Sequence, residues 1–332
     1  MRRRLVVLVA TAMTLFGLVG VTEPAQAKPP GPNGRIAFAR QATPPVGEHG
    51  HVVYTVDPDG SHLQELAQPG DIPRWSPDGT EISIDDADCF SGGVCAAVIF
   101  NADTGSSRVL PGPGPLFNEW FGCDTWSPDG TRLACGGFSD SPGVSGVYTI
   151  RSSDGGGLTK VLSCDEVQPG AICGPGDYSP DGERLVVGVE EVALFVVRLN
   201  GSELRQITPT GTLLDEFNGR WSPSGDHILF VAQPDADHRR AIFVVNSDGT
   251  GLHQVPIPGC GGALSDPTSV SCFGPDWSPD GTKIVFVRAS ARFHVQNVYT
   301  VNADGSGLFQ ATYESGGLEV TSADWGTHPL AP

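Results

Sequence analysis

Two arginines and four aspartates stand just ahead of an aromatic residue that returns along the chain. They are Arg74, Asp124, Asp177, Arg220, Asp276 and Asp324, before Trp75, Trp126, Tyr178, Trp221, Trp277 and Trp325. Carboxylates gathered at one place can hold a divalent cation or act as an acid and a base. Arginines among them can clamp a polar ligand. If the segments ending at these positions line a central channel, the six form a ring of mixed charge at its mouth, on the side of the long loops, and a divalent cation is the candidate occupant. The bland alternative is a set of solvated strand-end charges. Asp85-Asp86-x-Asp88 and Glu190-Glu191 add negative potential. Asp57-Pro-Asp59-Gly60 resembles the start of a calcium loop, but the distal bidentate Glu is missing at the required spacing.

No residue is assigned a catalytic role. The chain has no His-Glu-x-x-His, no glycine-rich phosphate loop and no Gly-x-Ser-x-Gly elbow. His49, His51, His238 and His294 are scattered, all in or near connecting segments. The eight cysteines fall into four neighbouring pairs: Cys89 and Cys95, Cys123 and Cys135, Cys164 and Cys173, Cys260 and Cys272. No Cys-x-x-Cys spacing favours zinc. Local disulfides are the simplest reading for an exported chain, although eight cysteines admit many pairings.

What must position these groups is a repeat. Trp-Ser-Pro-Asp-Gly stands at 75–79, 126–130 and 277–281, with Tyr-Ser-Pro-Asp-Gly at 178–182 and Trp-Ser-Pro-Ser-Gly at 221–225. The aromatic positions are 51, 52, 43, 56 and 48 residues apart. Such a period marks one supersecondary unit repeated, most often a propeller blade. Ser-Pro-Asp-Gly suits a tight turn, because Pro sets φ at the second position and Gly tolerates φ > 0 at the fourth. An apolar strand follows each copy, as in Lys283-Ile284-Val285-Phe286.

A second hairpin, with an Asp-Gly-like turn, recurs six times, at 59–60, 104–105, 154–155, 200–201, 248–249 and 304–305. Each unit therefore has four strands, A to D. Asn33-Gly34-Arg35-Ile36-Ala37-Phe38 matches the second half of a motif with no Trp before it, and Trp325 has no turn after it. The two ends are expected to complete one blade, which removes an open edge. The fold is read as all-β: a six-bladed β-propeller of four-stranded antiparallel blades, over residues 33–328. The A–B and C–D turns are short and constant on one face. The B–C and D–A connections vary on the other, and most of the cysteines lie there. Cys123 and Cys135 are expected to face each other across an A–B hairpin with a one-residue bulge.

The repeat resembles that of the TolB C-terminal propeller, over nearly all of the chain after residue 32. The resemblance implies the propeller fold and says little about activity. TolB proteins carry an α/β domain before the propeller, whereas here the repeats begin close to the expected leader.

That leader is Met1-Arg2-Arg3-Arg4, an apolar run from Leu5 to Val21 and Ala25-Gln26-Ala27, a secretory signal peptide over 1–27. A Pro-rich lead, 28–32, and a tail, 329–332, flank the propeller. Cleavage removes three Arg and one Glu and takes the net charge from −18 to −20. Nucleic acid is excluded as a partner for want of a basic footprint. No second long apolar stretch supports membrane insertion after cleavage. The expected protein is a secreted monomer that binds an extracytoplasmic protein, peptide or glycan through the disulfide-stapled loop face. The rival reading is an extracellular hydrolase, lyase or lactonase with a metal or polar cluster in the channel.

Overall fold

The computed structural model describes residues 31–42, 50–85, 95–117, 120–290, 295–314 and 318–330. Its strands form six four-stranded antiparallel sheets. In five of them the strands follow chain order from the innermost outward or the reverse. The sixth takes its innermost strand, Val320–Trp325, from the C-terminal end and pairs it with Ile36–Gln41 at the N-terminal end. Ile36 faces Trp325 and Ala37 faces Asp324. The closure continues past the strand, with Gly34 N–H donating to Gly326 O and Arg35 N–H to His328 O, both at 3.0 Å. We number this blade 1, and blades 2 to 6 follow in chain order.

The middle strands carry near-continuous apolar runs because both faces of each blade are covered by neighbours. Ala193–Arg198 is buried at its first five positions, and Arg184–Val189 contributes Leu185, Val186 and Val187 at zero exposure. The cores lie between blades: Leu162 and Cys164 of blade 3 pack with Tyr178, Leu185 and Val187 of blade 4. Outermost strands see water on one side and shrink to two residues in blades 4, 5 and 6.

The recurrent turn explains why its sequence returns. In blade 2 the Asp78 carboxylate accepts from Ser76 Oγ (2.6 Å), Thr80 N–H (3.0 Å) and Thr80 Oγ1 (2.9 Å), and Ser76 Oγ accepts from Glu81 N–H (2.9 Å). Gly79 closes the turn at φ +72°, which only glycine takes without strain. Each Pro leans on the Gly of the next copy. A side-chain carbon added at Gly182 would lie 3.4 Å from Pro128, and one at Gly225 would lie 3.6 Å from Pro180. The motif is thus both a turn and a blade-to-blade spacer.

Three disulfides are present among the described residues: Cys123–Cys135, Cys164–Cys173 and Cys260–Cys272. Cys123 and Cys135 are direct cross-strand partners with Cα atoms 3.8 Å apart, and the bulge beside them falls at Asp124. The expected Cys89–Cys95 pair, the leader, Asp86, Asp88, His49 and His294 lie outside the described residues. Among the described residues no helix is long and apolar enough to cross a membrane.

Candidate functional site

Every innermost strand carries a one-residue irregularity ahead of its aromatic. It re-aims the strand end, so that the residue directly before the aromatic reaches the channel. In ring order these residues are Asp324, Arg74, Thr125, Asp177, Arg220 and Asp276, and all six line one chamber. Arg74 and Arg220 are three blades apart and so lie on opposite sides of it. Five of the six were expected. Thr125 was not; its signal is its place one step before Trp126. Asp124 sits one step deeper, as the bulge residue.

The chamber lies at the end opposite to the one expected. Its other lining residues include Ser76, Pro77, Pro279, Gly326 and Thr327, which belong to the constant turn face and the C-terminal segment. The reason is simple: the residue before the aromatic abuts the A–B turn, so it sits at that turn's end of the strand.

Much of the ring's hydrogen-bonding capacity joins one blade to the next. Asp324 accepts the Trp75 N–H at 2.8 Å, Asp276 the Trp325 N–H at 3.0 Å and Asp177 the Trp221 N–H at 3.2 Å. Asp177 also accepts from Thr125 Oγ1 and Tyr178 N–H, each at 2.9 Å. At the arginine positions the main chain takes over: Trp126 Nε1–H donates to Arg74 O at 3.2 Å and Trp277 Nε1–H to Arg220 O at 3.3 Å. Arg74 approaches Asp324 to 4.0 Å, and Arg220 donates to the Gly176 carbonyl.

Two guanidiniums face four carboxylates here. Burial, and then the Arg220 charge, push the Arg74 guanidinium down to about 10, against the pull of Asp324, Asp276 and Asp124. Burial lifts the Asp124 carboxyl to about 6, although Arg220 and Arg74 both favour its charged form. Asp124 keeps a minor part of its surface open, but its carboxyl lies deep within the ring's field. The chamber leaves only about 30 Å3 of free space. That is room for a water or a single small ion, not for a sugar ring or a peptide unit.

The remaining candidates are bound up elsewhere. Asp57 is held by Arg35 Nε at 3.2 Å and His62 Nδ1 at 2.7 Å. His51 is buried, with Asp71 at 3.7 Å and Glu319 at 3.9 Å. His238 pairs with Asp235 at 2.6 Å. Among the described residues no three His, Cys, Asp or Glu side chains gather as a metal-holding group.

No protein-family model matches the sequence, and no curated protein matches it. Solved structures do. TolB from Acinetobacter baumannii superposes with a TM-score of 0.64 at 17% identity, over 88% of this chain and 66% of that one. A putative TolB from Agrobacterium tumefaciens gives 0.58 at 18%, over 84% and 88%. The fold is that of a TolB-like propeller. A chain of a nidogen/laminin complex also matches, with a TM-score of 0.60 at 8% identity, over 89% of this chain and 100% of that one. The present chain spans just under two thirds of the Acinetobacter TolB.

On the loop face this TolB-like propeller is braced. The B–C loop of blade 5 is tied to the stapled 260–272 segment by Arg239 N–H to Gly262 O, Cys272 N–H to Arg240 O (both 3.0 Å) and Arg239 Nε to Ser269 Oγ (2.8 Å). Between blades 3 and 4, the loop closed by Cys164–Cys173 borders a cleft of about 560 Å3 with Trp120, Phe138 and Asp140 across from it. This cleft was not read from the sequence. Its parts come from stretches some fifty residues apart, and the stapled loop was the only signal.

Proposed function

We propose that this chain is an extracytoplasmic, non-enzymatic binding propeller that recognises a protein, peptide or glycan through its loop face, after removal of residues 1–27 as a leader. The contrast in space carries the reading. The channel chamber offers about 30 Å3 and spends much of its polar capacity on blade-to-blade bonds, whereas the loop-face cleft offers about 560 Å3. Ligand sites fall in the range of roughly 300–1,000 Å3. The three disulfides fit an oxidising compartment, and two of them close loops on that face. A propeller of this fold in a nidogen/laminin complex is in keeping with a protein-binding role. The channel's small volume counts against the hydrolase, lyase or lactonase alternative.

The test is capture of partners from the extracytoplasmic fraction by the oxidised protein and three variants. Ile172→Asp and Leu264→Asp alter exposed loop-face residues, and Thr125→Val alters the channel. Loss of the captured species with either loop variant, at unchanged folding, and its retention with Thr125→Val is the expected result. Loss with Thr125→Val alone refutes the reading.

A further inference from the structure

The cleft between blades 3 and 4 has a built floor. Trp120 opens the innermost strand of blade 3 and pairs with Phe138, while Gly122 pairs with Gly136 two residues on. These four share one face of the sheet. The indole lies across the two glycines: a side-chain carbon added at Gly122 would come within 2.4 Å of it, and one at Gly136 within 2.7 Å. Any residue larger than glycine at either place would lift the ring. Phe138 stacks beside it at 5.4 Å and 29°. An aromatic platform is thus laid flat where two loops meet.

The walls are loops held in place. Asp165 accepts Gly170 N–H at 2.9 Å and Gly143 N–H at 3.3 Å, so one carboxylate braces the B–C loop of blade 3 against the stapled 164–173 loop. The Lys160 ammonium, behind the wall, donates to the Gly143 carbonyl and lies 5.4 Å from the Tyr148 ring. The residues facing the space include two carboxylates, Asp140 and Asp165, and no lysine or arginine, with Ile172 exposed at the rim.

We propose that this cleft receives a cationic side chain, arginine above all, from a partner peptide, with the guanidinium over the Trp120 indole and beside Asp140. A planar guanidinium stacks on an aromatic face and donates to a carboxylate at once, which an ammonium does less well. The strongly negative chain, −18 overall, draws a basic segment towards the face. A neutral saccharide would gain the stacking without the charge. The assignment rests on the loop-face reading and narrows it to one site and one chemistry.

The probe is Ac-Gly-Arg-Gly-NH2, titrated into 15N-labelled protein and followed at the Trp120 indole N–H resonance, which Trp120→Phe identifies. A saturable shift is expected, weakened about threefold by Asp140→Asn and weakened further by added salt. Asp140 is the charge to remove because Asp165 braces the loops. An unmoved Trp120 resonance overturns the proposal, as does a larger response to Ac-Gly-Glu-Gly-NH2 or to methyl glucoside. If the resonance stays put while Ile172→Asp still abolishes partner capture, this site falls and the loop-face reading stands. If it responds while no loop-face substitution affects capture, the site stands and the wider reading falls.

Discussion

At the residue scale, Asp124 is the group whose environment most opposes its charge. Its folded value of about 6 lies above the ordinary 3.8. Below 3.8 the folded and unfolded chains both hold the proton. Between the two values only the folded chain holds it, so this residue's contribution to stability falls as pH rises through that window. Above about 6 the folded state carries a buried anion, at a cost of up to roughly 3 kcal/mol before channel water screens it. Asp124→Asn should therefore raise urea stability at neutral pH, and the gain should shrink as the pH falls towards 4. A variant less stable than the parent at neutral pH would show that the carboxylate is needed as the partner of Arg74 and Arg220. The variant turn in blade 5 gives a second prediction. Ser224 replaces the aspartate of the other copies, and its bonds are long: 3.1 Å to Ser222 Oγ and 3.4 Å from Asp226 N–H. Ser224→Asp should add about 1 kcal/mol, read as a rise in Tm of about 2 °C. The blade 4 copy shows that an acidic residue after the glycine is tolerated, since Glu183 N–H still donates to Asp181 at 3.0 Å.

At the element scale, the stapled 164–173 loop both packs and presents. Its cysteines are buried in the core between blades 3 and 4, while Ile172 and Asp165 face water. Replacing Cys164 and Cys173 together by Ala should cost about 2–3 kcal/mol in the chain-entropy account. Limited proteolysis should then cut first within residues 165–172; unchanged cleavage kinetics would mean that the Asp165 bonds hold the loop unaided. Element order and blade closure were legible in the sequence, because Ser-Pro-Asp-Gly is dictated by local turn chemistry and returns with the blade. The same holds for the bulge between Cys123 and Cys135. Thr125 was harder to see, since a lone threonine among charged neighbours reads as an ordinary strand residue, and Asp124 took its place in the ring. Which end of the channel the ring occupies could have been read from the adjacent turn. The Trp120 cleft could not: it depends on how two loops from different blades come together, and no local pattern encodes that.

At the scale of the whole molecule, one face is repetitive and tied together, and the other is variable and stapled. The constant face is closed by the Pro-to-Gly contacts and by His328, which stacks on Trp75 at 4.9 Å and meets the Gly79 carbonyl through Nδ1 at 2.8 Å. The chamber behind it joins blades around the ring. Recognition is left to the far side, where the loops differ from blade to blade. Hydrogen–deuterium exchange on the oxidised protein, with and without a captured partner, tests this division most directly. The account predicts new protection confined to loop-face segments, at 139–145, 164–172, 237–241 and 258–270, with the Ser-Pro-Asp-Gly turns unchanged. Protection centred on those turns and on the chamber residues, with the loops unaffected, would contradict it.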